Sequence, residues 1–211
     1  VNDTLMIRTA SNKDLSSLNT FGMKVKAACY IEYGSARDLM ELDWAELKQP
    51  VLQMGSGSNL LFCGDFTGTV MRSRIDDLDI LEDRCSGDDI FIRVGAGMEM
   101  DALCEKTARK GWWGLENLSG IPGTVGASAV QNVGAYGVEA GELIDCVDCF
   151  DINERRFVTL TAADCAFAYR DSYFKHNRGR YVVVAVTYHL YRDFRPRLSY
   201  AHLQEEVERN A

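Results

Sequence analysis

The chain has 211 residues, 46% of them hydrophobic and 26% charged, which is enough apolar content for one large domain or two smaller ones. Its formal net charge is −8 and no basic run of five or more residues occurs, which argues against a nucleic-acid partner. The opening VNDTLMIRTASNKD has no unbroken apolar stretch of signal-peptide type and nothing later approaches the ~18 apolar residues of a membrane span, so seven cysteines fit reduced thiols in a cytoplasmic protein.

After a polar start, VKAACYIEY at 25–33 reads as a strand and SARDLMELDWAELKQ at 35–49 as a helix. Ser35 is placed to cap that helix, with Asp38 at the capping-box position and Leu39, Leu42 and Leu47 as its apolar stripe. VLQM follows as a short strand, then GSGSN at 55–59, then LLF and GTVMRSRI as further extended pieces, which together make a small β-α-β unit. A second unit starts near residue 76 with the acid-rich strand and turn DDLDILEDRCSGDD. DIFIRVGAG is a strand running into glycines, and EMDALCEKTARKG is a helix stopped by Gly111. Beyond the glycine-rich region, LIDCVDCFDI and RRFVTLTA pair around the turn INER, and RYVVVAVTYHLYR is one long strand, so short connections favour an antiparallel sheet here. The last residues, LSYAHLQEEVERNA, have a helical pattern.

The run GLENLSGIPGTVGASAVQNVGAYGVE at 114–139 holds six glycines and no lysine or arginine, with apolar residues between most of them. A flexible linker would lack the apolar residues, and a helix interior loses about 1 kcal/mol per glycine, so an ordered loop system is expected whose main chain comes close to something large. GSGSN can form a nest of main-chain N–H groups for phosphate oxygens, or it is a polar turn between strands. Neither GSGSNL nor GAGMEM completes a dinucleotide fingerprint: the sixth positions are Leu60 and Met100, and the first runs on into a strand. Cys146 and Cys149 have the spacing of zinc or redox pairs, yet a strand puts them on opposite faces and no second pair matches, so no metal site is expected. Only His176, His189 and His202 are present, which makes a histidine-based triad improbable.

NTFG at 19–22, QPVLQMGSGSNLLF at 49–62, the glycine run at 114–139, YRDSYFKH at 169–176 and LSYAHL at 198–203 occur in the order and approximate spacing of the UDP-N-acetylenolpyruvoylglucosamine reductase family, which the chain resembles along nearly its whole length. LSYAHL is similar to the branch with a mobile tyrosine loop. The resemblance implies an α+β fold of the vanillyl-alcohol-oxidase flavoprotein type. Residues 1–75 and 76–211 would form two FAD-binding subdomains, the second with a mainly antiparallel sheet. It further implies FAD as bound cofactor, with contacts from Gly55, Ser56, Gly57, Ser58, Asn59 and Leu60 in the first half and from Ile121, Gly123, Gly126, Ala127, Gln131, Asn132 and Gly134 in the second.

What the resemblance implies for chemistry is hydride transfer from NADPH through FAD to UDP-N-acetylglucosamine enolpyruvate, for peptidoglycan synthesis. Arg170 matches the arginine that stabilises charge at the substrate carboxylate, and Tyr136, Tyr169 and Tyr200 match substrate-binding positions. Ser172 and Lys175 are expected only to shape their loop. Family members continue into a third domain, and this chain is expected to be a flavin-binding portion without it. Two other readings remain: another FAD-dependent oxidoreductase of the same fold, or a nucleotide-binding module without catalysis.

Overall fold

The computed structural model describes residues 6–210. The first half forms a four-stranded sheet from β1 (Arg8–Asp14), β2 (Lys26–Tyr33), β3 (Val51–Gln53) and β4 (Phe66–Ser73), in the order β1-β2-β4-β3. β4 lies parallel to both β2 and β3, and β1 runs antiparallel along the edge. The polar start therefore contains a strand. Its residues are exposed except for half-buried Ala10, and an edge strand open to solvent on both faces has no reason to alternate apolar and polar residues.

Helix α1 (Ala36–Glu41) begins as expected: the Ser35 hydroxyl accepts from the Asp38 amide, and the Asp38 carboxylate accepts from the Ser35 amide. It is shorter than the sequence pattern suggests. Leu42 turns to an extended conformation and Trp44 is buried, its indole N–H donating to the Leu39 carbonyl. Stacking Trp44 on Phe150 at 5.6 Å wins over continuing the helix. Leu39 is fully buried, and Leu42 and Leu47 still pack against the same cluster.

The second half contains β5 (Leu78–Ile80), β6 (Asp89–Gly95), α2 (Met100–Arg109), α3 (Val125–Gln131), the short hairpin strands β7 (Gly134–Ala135) and β8 (Val138–Glu139), β9 (Ile144–Asp151), β10 (Arg156–Thr161), α4 (Tyr173–His176), β11 (Tyr181–Tyr191) and α5 (Leu203–Asn210). Its five-stranded sheet, ordered β10-β9-β11-β6-β5, is antiparallel at every pairing. Ile92, Val94, Leu103, Val125, Val147 and Tyr188 are at the centre of the main core. A separate cluster joins the two sheets: Ile31, Tyr33 and Met71 from the first meet Phe150, Val182 and Val184 from the second. Each large apolar side chain buried there contributes about 1.5–3 kcal/mol.

The glycine run is not loop throughout. Thr124 caps α3, its hydroxyl accepting from the Ala127 amide at 3.4 Å. Between Gly123 and Gly134 the only glycine is Gly126, and a methyl there would lie 2.8 Å from the Ala96 Cβ, so its helix cost is traded for close packing on β6's end. Cys146 is half-buried and Cys149 fully buried on β9, and burial raises the Cys149 thiol's pKa. Among the described residues no helix is long and apolar enough to cross a membrane.

The turn after β9 depends on Asp151. Its buried carboxylate accepts from the Asn153 and Glu154 amides at 3.0 and 3.1 Å and from the Arg180 Nε and Nη2 at 3.0 and 2.9 Å. Burial pushes this carboxyl up, but the Arg180 guanidinium and the two amides outweigh it and hold it below the ordinary carboxylate range. A depressed folded pKa stabilises the fold above the unfolded value, and that contribution disappears as pH falls through the folded one. Asp151→Asn is expected to cost about 2 kcal/mol at neutral pH and to flatten the acid limb of a stability-versus-pH curve. An acid limb as steep as that of the unmodified protein would contradict this assignment.

Candidate functional site

The loop after β3 and the loop before α3 meet face to face. Ser58 Oγ donates to the Pro122 carbonyl at 3.3 Å, and a methyl on Gly55 would lie 2.8 Å from Thr124 Oγ1 and 3.2 Å from the Ala127 Cβ. Gly57 is in the left-handed region at φ +71°, tight against the Leu18 carbonyl. The two loops thus form one seam of main chain and small side chains, where Gly55 lets them approach each other and Gly57 lets the first lie on the Leu18–Asn19 segment. Ser56, Ser58 and exposed Asn59 supply polar side chains, and Leu60 packs into the core beneath them. Ile121 and Val130 tie the second loop to the main core. N–H and hydroxyl donors along such a seam suit an extended anionic ligand.

Glu99 joins this seam although the sequence did not single it out. It stands at the N-cap of α2 without capping that helix. Its carboxylate instead accepts from Ser56 Oγ at 2.7 Å and lies 3.7 Å from Arg72 Nη2 on β4. GSGSN marked Ser56, but no local pattern marks its pairing with Glu99, because 43 positions separate the two.

Arg170 occupies a tight turn, at φ +54°, closed by the Ala168–Asp171 bridge. Its Nη2 donates to the Gly134 carbonyl at 2.8 Å, its guanidinium is 5.9 Å from the Tyr169 ring centroid, and Lys175 Nζ donates to its carbonyl. Arg170 and Tyr169 are exposed. The turn is tied to the end of α3. Ser172 Oγ donates to the Val130 carbonyl, and Asn132 Nδ2 donates to the Ala168 carbonyl and the Glu139 carboxylate. Asn132 Oδ1 accepts from the Gly141 amide, so this buried amide side chain is fully committed to protein partners and leaves only main chain to face a ligand. Gln131 beside it is half-buried. Tyr136 and Tyr200 are both about half exposed and meet edge to face at 5.9 Å. Asn117, unmarked in the sequence reading, holds their segments together by donating to the Tyr136 carbonyl at 3.0 Å and the Arg197 carbonyl at 2.9 Å. The structure therefore places these residues in two groups, Gly134 with Arg170 and Tyr169, and Tyr136 with Tyr200, with Gly134 and Tyr136 two residues apart along the chain.

A mixed sheet joined to an antiparallel one, with a seam of glycine loops between strand ends, defines a cofactor-binding fold. The sequence matches the FAD-binding domain family over residues 27–152, and the chain belongs to that family. It is also 42% identical over 197 residues to the UDP-N-acetylenolpyruvoylglucosamine reductase of Bacteroides fragilis, a match covering 92% of this chain and 58% of that protein. The chain thus spans less than two thirds of that relative's length. Among solved structures it is similar to the UDP-N-acetylenolpyruvylglucosamine reductase of Thermus caldophilus, with a TM-score of 0.70 at 24% identity over 98% of this chain and 70% of the other. A cholesterol oxidase from Brevibacterium sterolicum shares the fold at a TM-score of 0.55 and 12% identity, over 90% of this chain and 38% of its own. The fold is thus the α+β flavoprotein type expected from the sequence.

Proposed function

We propose that this chain is the FAD-holding part of a cytoplasmic UDP-N-acetylenolpyruvoylglucosamine reductase, which uses NADPH to reduce UDP-N-acetylglucosamine enolpyruvate to UDP-N-acetylmuramate. The observation that carries the reading is the seam between the Gly55–Asn59 and Ile121–Ala127 loops, in a chain 42% identical to a protein of that name. On this reading residues 1–75 and 76–211 are the two FAD-binding subdomains. Main-chain amides of Gly55, Ser56, Gly57 and Gly123, with the side chains of Ser58 and Asn59, would hold the cofactor's diphosphate, while Gly126 and Ala127, whose amides are bonded to Ala96 and Thr124, would offer it only a surface without bulk. Leu60, Ile121, Gln131, Asn132 and Gly134 would line the remainder. FAD, when bound, supplies a hydride carrier between NADPH and the enolpyruvyl ether.

Arg170 would grip the substrate's carboxylate with its exposed N–H groups while Nη2 stays tied to Gly134. Its guanidinium would stabilise the negative charge that builds at that carboxylate during hydride addition. Tyr136, Tyr169 and Tyr200 would close on the sugar-nucleotide side. Titrating the purified chain with FAD is expected to give bound flavin, seen as quenched flavin fluorescence. A chain that binds none would overturn the reading. In a protein of the relatives' full length, Arg170→Ala is expected to lower kcat by about 10²-fold or more with flavin retained. Unchanged turnover would remove Arg170 from the chemistry.

A further inference from the structure

Neither glycine loop carries a cationic side chain: residues 54–60 and 114–139 contain no lysine or arginine. Main-chain amides and the neutral side chains of Ser58 and Asn59 would face the full negative charge of a diphosphate. The fixed cation joined to the seam is Arg72, through Glu99. Its side chain is only 12% exposed, its Nε is buried with no hydrogen-bond partner among the described residues, and its Nη2 is 3.7 Å from Glu99, too far for a hydrogen bond. The guanidinium is thus neutralised but not satisfied, which is a costly arrangement for a nearly buried charged donor. Glu99 in turn leaves its own helix uncapped and takes the hydroxyl of Ser56, one of the residues that would meet phosphate. A carboxylate there repels an incoming phosphate and competes with it for the same donor.

We propose that Arg72 and Glu99 form a charge gate in the diphosphate cradle: Glu99 holds the Ser56 hydroxyl and the Arg72 charge until a nucleoside diphosphate group takes both from it. The proposal rests on the two loops being that cradle. It makes Arg72 the cation that the glycine loops lack, and makes Glu99 the residue that keeps the affinity for phosphates below its ceiling.

The test is isothermal titration calorimetry of the purified chain with ADP and, separately, with adenosine. Glu99→Gln keeps the side-chain shape and removes the charge, and it is expected to tighten ADP binding about fivefold while leaving adenosine unchanged. Arg72→Gln is expected to weaken ADP about tenfold, and in its background the benefit of Glu99→Gln should shrink to less than about twofold. ADP binding unchanged or weakened in Glu99→Gln overturns the gate and leaves the cradle standing. If the unmodified chain binds neither ADP nor FAD, the cradle fails and the gate falls with it. Should Arg72→Gln not fold, the exposed Glu99→Gln variant decides alone.

Discussion

Replacing Gly57 with alanine is expected to abolish FAD binding and to lower stability by about 3 kcal/mol, combining left-handed strain with an unrelieved overlap. The added methyl would lie 2.0 Å from the Leu18 carbonyl oxygen, a hard overlap, and tight against Leu18 C and Asn19 Cα at 3.0 and 3.1 Å. The Leu18–Asn19 segment has little room to retreat. Asn19 is buried, its Nδ2 donates to the Leu15 and Met23 carbonyls, and its Oδ1 accepts from the Met23 amide. Thr20 in addition donates its amide to the Gly57 carbonyl. The loop would have to move instead, and Ser58 would lose its contact with Pro122 across the seam. This accounts physically for NTFG at 19–22 belonging with GSGSN: the first segment is the floor on which the second is built. Thermal melts and flavin titration on the same preparation measure both effects. A variant that melts like the unmodified protein and still binds FAD would show that the loop does not need this geometry.

Asn132→Ala is expected to cost about 3 kcal/mol as well, because three hydrogen bonds of a buried amide are lost together. Its partners are the Gly141 amide at 2.8 Å, the Ala168 carbonyl at 2.8 Å and the Glu139 carboxylate at 2.7 Å. They lie on two segments, Glu139 to Gly141 and Ala168, and alanine would leave each without this partner. Asn132 also sits at φ +45°, where asparagine is tolerated better than alanine. The consequence for function runs through Ala168, which closes the turn that presents Arg170. Made in a protein of the relatives' full length, the variant is therefore expected to bind FAD while losing affinity for the substrate proposed above. Asn132→Asp, which keeps the acceptor but sets a carboxylate against the Glu139 carboxylate and the Ala168 carbonyl, should lower the denaturant midpoint at neutral pH at least as far as alanine does. If Asn132→Asp is as stable as the unmodified protein, the donors to Ala168 and Glu139 carry no weight.

Much of the second half was legible from short-range pattern. The strands from Asp89, Ile144 and Tyr181 have apolar residues at buried positions, the one from Arg156 has them half-buried at Val158 and Leu160, and short turns between neighbours made antiparallel pairing the expected outcome. The Ser35–Asp38 box marked the start of α1 for the same reason: both partners lie within one helical turn. β1 escaped because it is exposed, and α3 escaped because glycines flanking a seven-residue segment hid the single capping threonine.

What the sequence determined by itself was the kind of backbone at each place: glycine where main chain must bend or approach closely, alternation where a sheet has one buried face, a capping pair where a helix starts. The tertiary structure alone decided which distant groups share a point in space. Ser56 meets Glu99, Asn117 bridges Tyr136 to Arg197, and Asn132 ties α3 to the Arg170 turn. Backbone preference acts over a few residues and leaves a local signature. A polar contact between segments 36 to 80 residues apart depends on how whole sheets and loops pack, and no short stretch of sequence records that.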